Sequence, residues 1–321
     1  MILRPSGYID YIRQHKQPSP RTIETYERTL RAIGIAEVDT ENMESVWQTL
    51  LEGMRNKDAE GKSKFGYVDV ERFISILSAW AKKNDSKARL DKRLTYNKLR
   101  DTIRLIKSKI NRQAYSDDEL ETIFKHVRRE TFAYNGLYHL CLLLLYSGMR
   151  VGGAYNIKWE DVSKIDGYPQ VVTFPAVSKG QQYWAICRRD VIDYIKANSR
   201  SSPTIIYYDE LNTTRFDVLY RKQMLRALSK AWIETDNHSV FHSFRKTFAQ
   251  KLLTNPDIEP KSISYQYLMG HVPKDTTAIK FYVLPNSIKI PYDLVRRCAH
   301  VYSNSELMRM SIGLEEKEVR E

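Results

Sequence analysis

Arg150, Lys179, His242, Arg245, His271 and Tyr282 follow one another through the last two thirds of this 321-residue chain. Together these side-chain types can break and remake a phosphodiester. A guanidinium is a planar fork of donors that matches two phosphate oxygens. A lysine has a pKa that neighbouring cations lower easily, so it can protonate a leaving oxygen. Imidazoles donate or accept a proton near neutrality. A phenol with a base beside it can attack phosphorus. Each residue alone has an ordinary reading: a surface arginine, a lysine at a hairpin tip in solvent, a chance His-x-x-Arg pair, a core tyrosine. With 21 tyrosines in the chain, residue type carries nothing and position must decide.

The local contexts sharpen the set. Arg150 lies in Tyr146-Ser-Gly-Met-Arg-Val-Gly-Gly153, straight after an apolar run, where Gly148 permits a sharp turn. His242 and Arg245 are three apart in Phe241-His-Ser-Phe-Arg-Lys-Thr-Phe-Ala-Gln-Lys-Leu-Leu253, hence neighbours on one helix face. Phe244, Phe248 and Leu252 form the adjoining stripe, which predicts both polar groups at the edge of the core. His271 follows Tyr267-Leu-Met-Gly270, and Tyr282 stands in Phe281-Tyr282-Val283.

The elements that must position these groups come from periodicity. Residues 1–112 predict a helical domain without a strand signal. Ser19 caps a helix that opens on Pro20 and carries Ile23, Tyr26, Leu30 and Ile33 on one face. Further helices span Thr40–Met54 and Tyr67–Lys83, with a polar loop from Asn56 to Gly66 between them. Lys87–Arg112 holds ten Lys or Arg and two acids. Its apolar positions Leu99, Ile103, Ile106 and Ile110 keep helical spacing, which fits a solvated face as well as one that touches phosphates. Ser116-Asp-Asp-Glu119 reads as a capping box opening the second domain, 113–286. That domain predicts helices at 117–129 and 135–147. A small β patch follows (170–174 and 182–187, with Ser178-Lys179-Gly180 as the turn). Helices resume at 189–198, 215–234, 242–254, 261–269 and 275–283. Residues 287–321 read as a tail with one helical stretch, 292–302. It is either a surface helix or a segment that packs on an adjacent subunit. The fold class expected is mainly α with a small β-sheet.

Composition bounds the partners. The 51 Lys and Arg outnumber the 39 Asp and Glu for a net charge of +12, which suggests a polyanion. Cys141, Cys187 and Cys298 are too scattered for a disulfide framework or a zinc site, which points to a reducing compartment. The first residues lack a signal-peptide core. The longest apolar run, Leu137–Tyr146, contains a histidine and is too short to span a bilayer, so a buried helix is expected and no membrane partner. There is no Gly-rich phosphate loop and no obvious carboxylate cluster for a two-metal site.

At these residues the chain resembles the tyrosine recombinases, the family that includes phage and viral integrases. Its members carry Gly-x-Arg-x-x-Glu followed by Leu-x-Trp-x-Asp-Val; here stand Gly148-Met-Arg150 and Ile157-Lys-Trp159-Glu-Asp161-Val162. The family's His-x-x-Arg helix is reproduced from His242 to Leu253, and its Leu-Gly-His box corresponds to Met269-Gly270-His271. Ser19–Tyr26 is similar to the start of the family's core-binding domain. The resemblance covers residues 6–286.

The resemblance implies a mixed α/β catalytic domain behind a helical, DNA-clamping core-binding domain. It implies cleavage through a 3′-phosphotyrosine at Tyr282, with no metal, ATP or other cofactor. Arg150 and Arg245 would hold the non-bridging oxygens, and Lys179 would protonate the 5′-oxygen. His271 would donate to a phosphate oxygen, and His242 would orient or deprotonate the tyrosine. Expected partners are double-stranded DNA attachment sites and three further copies in a tetramer. Arg21, Lys92, Arg93, Lys98, Arg104 and Lys107 are the expected phosphate contacts outside the catalytic set. The setting would be the cytoplasm of a host cell or its nucleoid, for a virus- or mobile-element-encoded protein. Two departures stand out. Gly153 replaces the usual acid, and Tyr282 follows His271 by eleven residues where nine is usual, the ninth being Lys280. Tyr292 is the second candidate nucleophile. A chromosome-dimer resolvase, a type IB topoisomerase or a non-catalytic DNA-binding protein of the same fold are the alternatives.

Overall fold

Two compact units, Met1–Asn111 and Arg112–Glu321, divide the chain. The computed structural model describes residues 2–57, 59–84, 95–109, 113–130, 136–178, 181–199, 201–206, 213–235, 238–260, 262–270 and 292–311.

The first unit is built from helices α1 (Pro5–His15), α2 (Pro20–Ile33), α3 (Met43–Arg55), α4 (Tyr67–Asn84) and α5 (Thr95–Lys109). Ser19 caps α2 by accepting the Thr22 N–H at 3.2 Å, with Pro20 at the first helical position. Gly34 closes it in the left-handed conformation, φ +70°. The stripes of α3, α4 and α5 meet in one core around Trp47, Leu50, Phe73, Leu77, Leu99 and Ile103. A hydrogen-bonded trio joins α2 to α4: Thr29 donates to Asp69 at 3.1 Å, and Arg72 donates to both. The expectation of no strand here is corrected. β1 (Ile2–Leu3) pairs antiparallel with β2 (Val38–Asp39). Two residues are too few to show alternation in a sequence.

The second unit surrounds α7 (Gly136–Ser147), which is buried on every side. A helix apolar all round belongs in the middle of a core. Around it pack α6 (Asp117–Glu130), α9 (Arg189–Asn198), α10 (Thr213–Lys230), α11 (His242–Leu252) and an antiparallel sheet. The sheet orders β3 (Ser163–Ile165), β4 (Tyr168–Ser178) and β5 (Gln181–Arg188) in sequence. β3 escapes the sequence reading because it is three residues long and its register shifts after Lys164. The capping box at the head of α6 is complete: Ser116 N–H donates to the Glu119 carboxylate at 2.7 Å, and Glu119 N–H to Ser116 Oγ at 3.2 Å. Short helices α8 (Val151–Ala154) and α12 (Ile263–Leu268) complete the frame of the site.

Placing residues 287–321 outside the second domain needs correction. α13 (Tyr292–Ser303) packs against the sheet and α12, and Val295, Cys298, Ala299 and Tyr302 are buried in the unit's own core. Their spacing of three, four and seven is that of a helix face. The Tyr302 hydroxyl donates to the Tyr146 carbonyl at 2.6 Å, and the Tyr146 hydroxyl to the Met310 carbonyl at 3.0 Å. The Arg188 guanidinium donates to the carbonyls of Leu307 and Met310 while pairing with Asp190. The helix expected at 275–283 lies outside the described residues.

Candidate active site

Arg245 is the centre of the site. It stands one turn into α11 and is 2% exposed, so it lies inside the core and not, as its spacing suggested, at the edge. Burial of a charge requires partners. The guanidinium donates to the carbonyls of Gly148 and Met269, which end the turns after α7 and α12. One side chain thus ties together three segments far apart in sequence. Desolvation first, and then the neighbouring Arg150, lower its pKa to about 10. Arg245 therefore remains charged at neutral pH.

Arg150 reaches the same place from the turn after α7. Gly148 makes that turn with φ +60°, and a Cβ on it would run into the Phe248 ring of α11. The chain then extends through Arg150 (φ −80°, ψ 142°) before α8 begins. Arg150 Nη1 is buried without a hydrogen-bond partner. A buried, charged donor with nothing to bond to is costly, at least about 1–3 kcal/mol. Arg150 lies near enough to disfavour the charge on Arg245, and with its orphan donor the two guanidiniums make a site for an anion. A phosphate would satisfy that donor and screen the repulsion.

Tyr183 on β5 was missed by the sequence reading. Its side chain is buried, and desolvation raises its pKa against the lowering pull of Arg245 and then Arg150. Tyr265 on α12 also feels Arg245, with desolvation again the larger influence and the pKa raised. Nothing in the sequence marks either among so many tyrosines. Only the packing does.

Gly270 closes the site opposite β5. It has φ +55°, and a Cβ there would lie 2.7 Å from the Tyr183 ring. The glycine of the Met-Gly-His box is required twice, by its backbone conformation and by the close approach of β5. Gly153 is crowded as well: a Cβ would lie 2.9 Å from the Val177 carbonyl oxygen. A carboxylate side chain at this position would need β4 to move, so the absence of the usual acid fits the backbone around it.

The remaining expected residues fall as follows. His242 is the first residue of α11 and is exposed, three positions from Arg245. β4 and β5 stay paired as far as Ser178 and Gln181, while Lys179 between them lies outside the described residues. So do His271, Lys280 and Tyr282. The second candidate nucleophile, Tyr292, opens α13, with its side chain outside the description. In the first unit Arg21 is exposed on α2, and Arg104 is exposed on α5 with Asp101 at 3.8 Å. Lys92 and Arg93 lie outside the described residues, as do the side chains of Lys98 and Lys107. Among the described residues no group of three His, Cys, Asp or Glu could hold a metal ion. None of their helices is long and apolar enough to cross a membrane.

Residues 113–286, more than half of the chain, match the model of the phage integrase family. The chain belongs to that family, and so to the tyrosine recombinases. Solved structures share the fold at low identity. A lambda integrase dimer bound to a COC′ core site is 19% identical with a TM-score of 0.57, covering 90% of this chain and 100% of that one. The Tn1549 transposon integrase in complex with circular intermediate DNA is 15% identical with a TM-score of 0.56, covering 91% and 97%. A lambda integrase tetramer bound to a Holliday junction is 18% identical with a TM-score of 0.55, covering 89% and 78%. No curated protein matches the chain by sequence.

Proposed function

We propose that this protein is a site-specific DNA recombinase, an integrase that cuts and rejoins strands at attachment sites during integration or excision of a mobile element. The observation that carries this is the buried Arg245 guanidinium beside Arg150, whose Nη1 is buried and unsatisfied, in a chain of the phage integrase family.

In this reading the two guanidiniums hold the non-bridging oxygens and stabilise the charge that grows on them as phosphorus becomes pentacoordinate. The Tyr282 oxygen attacks phosphorus and passes its proton to His242. The 5′-oxygen leaves with a proton from Lys179, and His271 donates to a phosphate oxygen. A 5′-hydroxyl of another strand then displaces Tyr282, and the two proton transfers reverse. The phosphotyrosine keeps the energy of the broken bond, so no nucleotide is consumed. The first unit acts as the core-binding domain, with Arg21 and the basic residues of 87–112 on phosphates. Four copies assemble on two duplexes, in the cytoplasm or nucleoid of the host.

Incubation with a nicked candidate site should give an SDS-resistant protein–DNA adduct. Tyr282→Phe should abolish it and leave DNA binding intact. An adduct that persists in Tyr282→Phe removes Tyr282 as the nucleophile.

A second reading, a DNA-binding protein of this fold without the reaction, is favoured by the crowding at Gly153. It requires that no nicked site yields an adduct even where binding is tight.

A further inference from the structure

We propose that Tyr183 is a positioning residue of the cleavage site. Its phenol holds the Arg245 guanidinium in place beside Arg150, so that both forks face the scissile phosphate. This rests on the recombinase reading above.

Tyr183 is 3% exposed, and its hydroxyl is buried. The fold brings the phenol beside Arg245: the Arg245 guanidinium donates to the Met269 carbonyl, and a Cβ on the adjoining Gly270 would lie 2.7 Å from the Tyr183 ring carbon that carries the hydroxyl. Each shifts the other's ionisation, and Arg150 acts on the phenol too. A neutral phenol oxygen set beside two like charges, one of them in the core, relieves part of their repulsion. Phenylalanine would fill the same space and offer no lone pair.

The ring cannot easily turn away. It meets the Tyr267 ring edge-on, with centroids 6.4 Å apart and planes at 89°. Tyr267 is itself fixed, because its hydroxyl accepts the Trp184 N–H at 3.0 Å. On another side Gly270 leaves no room for a Cβ. Tyr183 therefore joins three parts of the site. It stands on the strand that begins two residues after Lys179, it lies against the glycine that precedes His271, and it faces Arg245. The requirement of a tyrosine here is chemical, since the fold needs only an aromatic ring.

The experiment uses the full chain as wild type and as Tyr183→Phe. The first arm follows hydrogen exchange of the Arg245 guanidinium by NMR of ¹⁵N-arginine-labelled protein, with the signal assigned through Arg245→Lys. We expect exchange at Arg245 to rise at least about tenfold in Tyr183→Phe while Arg188, a buried arginine elsewhere in the unit, is unchanged. The second arm measures adduct formation on a nicked site at saturating DNA, together with Kd and Tm. We expect the rate to fall about tenfold or more with Kd within about twofold and Tm within a few degrees. Unchanged exchange at Arg245 overturns the proposal. So does a wild-type cleavage rate, and so does a loss of rate matched by loss of binding and of Tm, which would mean a merely structural ring. If the wild type forms no adduct with any site, the recombinase reading fails by itself, and the exchange arm still decides whether Tyr183 holds Arg245.

Discussion

Arg150 and Arg245 are the same residue type in two different situations. Arg245 is tied into the fold, with carbonyls of two turns on two of its donors. Arg150 keeps a buried donor in reserve. Their substitutions should therefore read differently. If the protein is the recombinase proposed above, Arg150→Ala should lower the single-turnover cleavage rate by about 10²–10³-fold while Tm changes little, because the orphan donor it removes has no partner in the fold to lose. A Tm drop as large as that of Arg245→Ala would contradict this division of labour. A third charge-bearing residue acts on stability alone. His139 is buried in α7 with its Nε2 unpartnered, and desolvation pushes its pKa down to about 4. The unfolded chain takes up its proton near the ordinary value of 6.5, whereas the folded protein resists until about 4. Stability from this residue is thus complete above pH 6.5 and drains away as pH falls towards 4, by about 3 kcal/mol in all. His139→Leu should flatten that part of the unfolding free energy measured between pH 7 and 4.

At the scale of elements, two left-handed glycines let helices and sheet close on the site. Gly148 brings the end of α7 against α11, and Gly270 brings the end of α12 against β5. Alanine at either position carries the backbone cost of a left-handed residue, about 1–2 kcal/mol, and a steric clash besides. The clash at Gly270 falls on Tyr183. Gly270→Ala should therefore slow adduct formation by more than its loss of stability in urea unfolding accounts for. Equal losses would mean that the Tyr183 contact has no part in the chemistry. The hydrogen-bonded carbonyls of Gly148 and Met269 belong to these same turns, so the elements that position Arg245 are also its partners.

At the scale of the whole molecule, the net charge of +12 and the two-unit division are the properties that matter for a long polyanion. If the protein grips DNA through phosphates, log K should fall linearly with log salt. The slope measures the number of contacts, at about 0.9 per phosphate on duplex. Arg21→Ala should reduce that slope by about one without changing which sequence is preferred. A slope left as it was would take Arg21 out of the interface. The terminal helix also belongs at this scale. It supplies Cys298, Ala299 and Tyr302 to a core that begins at Tyr115, so the second unit is complete only when the chain has returned to it.

Spacing alone determined a good deal. Three residues apart on a helix is adjacency wherever the helix lies, so spacing alone sets His242 and Arg245 side by side on α11. The cap at Ser19, the capping box at Ser116 and the core helix Leu137–Tyr146 were legible for the same reason, since each is set by residues within one or two turns. The depth of Arg245 was not legible. Its carbonyl partners come from positions 97 and 24 residues away, and nothing local says that a charge can be buried there. Tyr183 was hidden likewise, one tyrosine among 21 until β5 lay against Gly270 and the two guanidiniums. Local patterns are governed by the backbone's own geometry and so are written in neighbouring residues. The electrostatics of a buried site depend on which distant groups exclude water together, and only the tertiary structure decides that.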